Sequence, residues 1–154
     1  MEVQVPFIQV LFPEAKIVPV IVGSQEADLC QRFGQALGGV LKGKQALIVA
    51  SSDLSHYPAY AEARSVDVAI LEAIPTLDAA RVRQAVREAM GRGIPNLHTA
   101  ACGEGPILAA MSAARVMGAK GGKVISYANS GDVAIGDLSR VVGYGAVALT
   151  ADAP

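Results

Sequence analysis

The chain has 154 residues, the length of one domain, and a net charge of −1 that does nothing to steer it toward nucleic acid or an anionic membrane. Hydrophobic residues make up 52% and charged residues only 18%, below the roughly 25% typical of globular chains, and the mean hydropathy is +0.39. So little charge implies surface covered by another domain, another subunit or a further stretch of the same chain. No apolar run reaches the ~18 residues a membrane span needs, and MEVQVPF has neither region of a signal peptide. Two cysteines make no disulfide framework, so the expected location is the cytoplasm.

In chain order, KIVPVIV (16–22) reads as a buried strand ending at Gly23. A helix is expected over 24–42, capped at Ser24, with Leu29, Phe33, Ala36, Leu37 and Val40 on its inner stripe. QALIVAS (45–51) is a second buried strand. The helix over 59–74 carries Ala63, Val66, Ala69, Ile70 and Ile74 and stops at Pro75. The helix over 76–91 has Asp78 near its start and Arg87 in its last turns, as the helix dipole prefers. GIPN is a loop, and 103–118 is a helix that tolerates Pro106 in its first turn. KVISYAN (123–129) and VVGYGAVALT (141–150) are strands with no helix between them, which suggests a mixed sheet edge. Continuous apolar strands alternating with helices predict an α/β fold, an αβα sandwich over a single domain, residues 1–154.

Three residues stand out for chemistry. Asp53 and His56 follow the second strand, and ligands bind at strand ends in such folds. Three apart, they project from one side if a helix begins after Ser51. Serine and aspartate also cap helices, so SSDLSH fits a cap as well as a site. An acid beside an imidazole fixes its tautomer and raises its basicity, which suits a general base or a metal ligand. Cys102 stands just before a glycine and a helix start, where the dipole favours the thiolate, although a small buried thiol is the commonest fate of a free cysteine. Cys30, on an apolar helix face, reads as core, and His98 as solvent-facing or locally hydrogen-bonded. NSGDVAIGD (129–137) fits a ligand-approaching loop or tight turns. Tyr127 and Tyr144 lie on strands and read as core, and Arg64 with Asp67 as a solvated ion pair.

The stretches EVQVPFIQ, IVPVIVG, LIVASSDLSHY, D.AILEAI..LD, ACGEGPI, YANSGDV and SRVVGYGAVAL occur in an order that closely resembles the Memo family, also called AmmeMemoRadiSam system protein B, over residues 2–149. The resemblance implies a mostly parallel, mixed sheet in a fold like that of the class III extradiol dioxygenases, which use non-haem iron. It implies a metal site with Cys102 as ligand, lined by Asp53 and His56 as the catalytic acid/base pair. A thiolate there favours copper(I) or a redox-active iron. The family's two metal-binding histidines belong to an N-terminal half that has no counterpart here, so the chain resembles a C-terminal half. The expectation is therefore a redox or dioxygenase-like protein with an incomplete site, binding iron or copper weakly or not at all. An unknown small molecule is the expected substrate, and the partner is a second copy or the missing N-terminal half. Two alternatives share these residues: a binding or scaffold protein with a vestigial pocket, and a metal-free hydrolase-like site with Cys102 as nucleophile, His56 as base and Asp53 as orienter.

Overall fold

The computed structural model describes residues 2–151, and its first regular element is one that the periodicity does not predict. After a 3-10 turn over Glu2–Gln4, helix α1 (Val5–Leu11) forms with Pro6 in its first turn, and Phe7, Val10 and Leu11 are all exposed.

Helix α2 (Ala27–Leu41) falls within the expected stretch, but its faces are reversed. Its buried residues are Cys30, Gly34 and Gly38, while Leu29, Phe33 and Val40 of the expected inner stripe are exposed. Backbone contact explains the reversal. α2 lies on helix α5 (Glu104–Met117) so closely that a Cβ at Gly34 would overlap the carbonyl of Ala109, and one at Gly38 would stand 2.7 Å from that of Ala113. Glycine inside a helix costs about 1 kcal/mol relative to alanine, and here it is what allows the two helices to touch. Ser24 does not cap α2 either: its Oγ accepts from the amide of Glu26, and Glu26 is the N-cap with no side-chain bond.

Helix α3 (Tyr60–Ala73) buries Ala63, Val66 and Ile70 as its stripe predicts, and Pro75 sits in a 3-10 turn, Ile74–Thr76, that ends it. Helix α4 (Ala79–Gly91) is capped by Asp78, whose carboxylate accepts from the amide of Ala80 at 2.8 Å. α5 ends at Gly118, whose φ of +106° suits glycine. Strands β1 (Gly121–Asn129) and β2 (Gly143–Thr150) pair antiparallel from Gly121↔Thr150 to Asn129↔Gly143, with an irregularity between Val124 and Ser126. The core gathers Val66, Ile70, Val82, Leu108, Met111 and Val141, all fully buried, each worth about 1.5–3 kcal/mol of apolar transfer.

The architecture is α/β, with five α-helices and a two-stranded antiparallel sheet among the described residues. The expected strands at 16–22 and 45–51 are not strands here. Both lack regular structure, and no backbone hydrogen bond among the described residues pairs either of them. A strand exists through its ladder, and nothing among the described residues offers these two runs a neighbouring edge. Their side chains are correspondingly open: Val18, Ile21 and Leu47 are 83%, 88% and 79% exposed. No helix among the described residues is long and apolar enough to cross a membrane.

Candidate functional site

The site is built around a short extended strip rather than a helix. Residues 51–58 have no helical turn, so Asp53 and His56 are not helix neighbours as the spacing suggests. The strip lies between two other stretches. On one side the amide of His56 donates to the carbonyl of Thr99, and that of His98 donates back to His56. On the other, Leu54 and Tyr57 donate to Gly143 and Val141, and Gly143 donates to Ser55. His56 is thus held by its main chain on one flank and by its neighbours' main chain on the other.

Cys102 reaches the same place from the turn before α5. Its amide donates to the carbonyl of Asp53 at 3.2 Å, and its Sγ accepts from the amide of Asp53 at 3.2 Å. Ser52 secures the join: its Oγ accepts from the amide of Gly103 at 2.8 Å and donates to the carbonyl of Asp53 at 2.7 Å. A Cβ at Gly103 would stand 2.6 Å from that of Ser52, so glycine after the cysteine is what lets the turn meet the strip. Gly105 has a similar role in the first turn of α5, where a Cβ would stand 2.5 Å from the carbonyl of Ser24.

The carboxylate of Asp53, the imidazole of His56 and the thiol of Cys102 place their ligand atoms within 4.8 Å of one another. Tetrahedral metal–ligand bonds of about 2.0–2.3 Å put donors on one ion about 3.3–3.8 Å apart, so the three would draw together by up to about 1 Å around an ion. His56 Nε2 gives a second sign of fit. It lies 3.3 Å from Asp53 Oδ2, yet it is buried and makes no hydrogen bond. A buried unpartnered nitrogen is costly, and a cation between it, the carboxylate and the thiolate would satisfy it. Cys102 is exposed, which leaves the cluster open on one side.

The remaining candidates lie elsewhere. His98 packs edge-on to Tyr57, with ring centroids 5.2 Å apart. Tyr57 holds an unusual φ of +73° directly after His56, and the Arg140 guanidinium lies 4.1 Å over its ring. Cys30 is core, as expected: it is buried, its Sγ donates to the carbonyl of Ser24, and burial pushes its thiol up. The 129–137 loop ties itself together. Asp132 accepts from the Tyr60 hydroxyl at 2.6 Å and from the amide of Asn129 at 2.7 Å, and both bonds hold its carboxyl below the usual range. Tyr144 is 44% exposed and is not core.

Asp67 corrects the sequence reading. It is not half of a solvated pair with Arg64; it is fully buried. Its Oδ1 accepts from the amide of Ser55 at 2.8 Å, and its Oδ2 from the hydroxyls of Ser55 and Tyr127 at 3.0 and 2.9 Å. Burial raises its carboxyl above the usual range, against these hydrogen bonds, and burial also pushes the Tyr127 phenol up to about 12. A lone aspartate on an otherwise apolar helical stripe, between Val66 and Ile70, is the signal that sequence offers for it. Arg64 instead lies over the Tyr127 ring.

An α/β fold with an Asp–His–Cys cluster at the junction of a strip and a helix start defines a candidate metal-site protein. The model of the family described as Memo-like protein matches residues 1–148, and the chain belongs to that family. It is similar to proteins described as MEMO1 family proteins. With the one from Nitrosopumilus maritimus it is 37% identical over 148 residues, covering 96% of this chain and 50% of the relative. With that from Aeropyrum pernix it is 40% identical over 150 residues, again 96% and 50%. With that from Aquifex aeolicus it is 39% identical over 145 residues, 94% and 51%. The chain spans about half the length of the curated relatives it matches.

Proposed function

We propose that the chain contributes to a non-haem metal centre, for iron or copper, in a redox protein related to the extradiol dioxygenases and acting on a small molecule. The observation that supports it is the convergence of three unlike donors on one point, with His56 Nε2 buried and without a hydrogen bond. Cys102, His56 and Asp53 would hold the ion, and iron or copper bound there would supply one-electron redox chemistry. The chain's own residues have distinct roles. Cys102 offers sulfur from a backbone-fixed turn, His56 offers an imidazole nitrogen that can also take a proton, and Asp53 balances positive charge beside it. Three donors with one open side make a site completed from elsewhere, so this chain alone binds the ion weakly.

The completing surface is proposed as a second copy or a polypeptide like the uncovered half of the relatives. Strand-forming segments of that partner would pair with the open runs 16–22 and 45–51 and close the expected αβα sandwich around a mixed sheet. The two free thiols support a cytoplasmic setting. The hydrolase-like reading has less support, because His56 Nε2 makes no hydrogen bond to Cys102 and a metal-free nucleophile needs its base.

The experiment is metal analysis of chain purified without oxygen and titrated with iron(II), beside Cys102→Ser. Weak binding in the parent that vanishes in the variant is expected. Parent and variant binding equally, or neither binding at all, overturns the reading.

A further inference from the structure

Asp67 has no place in the site just described, and its position is unusual. It lies on α3 with no exposed surface, and its carboxylate accepts hydrogen bonds from Ser55 and Tyr127, neither of them cationic. A buried carboxylate is expensive unless its bonds do something specific.

The hydrogen bonds along the strip show what they do. Each amide from Asp53 to Tyr57 has an acceptor. Leu54, His56 and Tyr57 donate to the carbonyls of Gly143, Thr99 and Val141, Asp53 donates to Cys102 Sγ, and Ser55 donates to Asp67 Oδ1. Asp67 therefore occupies the place where a neighbouring strand would put a carbonyl. Its second oxygen takes the Ser55 hydroxyl, so both donor groups of the residue before His56 are gripped. Gly143 completes the seat, since any Cβ there would overlap the Asp67 carboxylate.

We propose that Asp67 is a positioning residue of the metal site: by clamping Ser55 it sets the twist of the strip that turns His56 Nε2 toward Asp53 and Cys102. An asparagine carbonyl could accept from the Ser55 amide, but its NH2 group cannot accept from the Ser55 and Tyr127 hydroxyls; only the carboxylate takes all three bonds, and it adds its charge. That charge lies close enough to the imidazole to interact with it, and it would favour a metal cation held there. The other ionisable groups near His56 are Asp53 on its own strip, Cys102 ahead of α5, and His98 and Arg140 across Tyr57. The proposal rests on the metal reading above, but its test does not.

The chain has two histidines, so NMR at a fixed pH resolves the His56 ring with that of His98 as internal reference. Asp67→Asn keeps the shape but removes the charge and the acceptor of the two hydroxyls. At one fixed neutral pH the His56 ring-proton signals are expected to move as the strip loosens at Ser55, while those of His98 stay in place. Cobalt(II) affinity is expected to fall about 10- to 100-fold, as when a residue supporting a metal ligand is lost. Parent values of both, in a folded variant, overturn the proposal and leave Asp67 a purely structural group. If Asp67→Asn does not fold, Tyr127→Phe withdraws a donor from the same carboxylate, and His56 ring signals that do not move there are equally fatal. A parent chain that takes up no cobalt sinks the metal reading, and the His56 shift still decides the role of Asp67.

Discussion

Asp53 and Cys102 hold one another through reciprocal hydrogen bonds, the Cys102 amide to the Asp53 carbonyl and the Asp53 amide to Cys102 Sγ, both at 3.2 Å. Main chain takes part in each, so the distance from the sulfur to the strip is set by backbone rather than by side-chain rotamers alone. A donor fixed in this way needs little ordering when it meets a ligand.

The two cysteines should separate cleanly by reactivity. Cys102 is exposed and should react promptly with a thiol reagent in the folded chain. Cys30, 1% exposed and bonded to Ser24, should remain silent until denaturant is added. Two prompt thiols would mean that α2 is not seated on α5.

The backbone contact between α2 and α5 gives opposite predictions for two glycines. Gly34→Ala places a methyl group against the Ala109 carbonyl and should cost about 1–3 kcal/mol, the usual penalty for overpacking. Gly39→Ala, on the open side of the same helix with nothing within 4 Å of its Cβ, should gain about 0.5–1 kcal/mol from helix propensity. Urea denaturation of both variants checks the pair, and equal effects would contradict the packing.

The burial of Asp67 makes stability depend on pH with a definite sign. Its carboxyl is raised in the folded chain above the ordinary 3.8, so the folded state binds the proton more tightly than the unfolded state. Its contribution favours folding below 3.8 and is lost as pH rises through the folded value. Asp67→Asn carries no such group. The stability difference, parent minus variant, should therefore fall between acid and neutral pH, by roughly 1.4 kcal/mol for each unit of elevation. A difference that grows instead would show that the Ser55 and Tyr127 donors outweigh burial.

Exposed apolar surface on α1, α2 and the two open runs predicts self-association of the isolated chain. Light scattering should give a mass above 15.8 kDa. Phe33→Lys with Val40→Lys, both exposed on α2, should lower it. A parent that scatters as a monomer counts against this surface being sticky.

What is legible in the sequence is what local chemistry decides. The stripe of α3, the span of α5, the stop at Pro75 and the final pair of strands depend on near neighbours, and all form. The runs 16–22 and 45–51 are legible only as apolar segments, because a ladder needs a second strand that no periodicity reveals. On α2, large side chains suggest the inner face, whereas small residues decide the contact. For the site, the motif residues Asp53, His56 and Cys102 are readable and do come together. The means are not: the spacing suggests a helix where an extended strip runs. Asp67 escapes a sequence reading because a charge on a helix is usually solvated, and only the fold shows that α3 brings it against Ser55.

The strip that carries Asp53 and His56 is held by stretches around 99–102 and 141–143 and by α3, all remote from one another in sequence. Apart from the Ser55–Asp67 bonds, its bonds close long loops, so a fragment that lacks the 99–102 or 141–143 stretch loses that side of the support. The helices can be formed in a partly unfolded chain, but the donor cluster cannot. The donors meet only where these distant stretches are all in place, so the site acts as a gauge of whether the whole chain is folded.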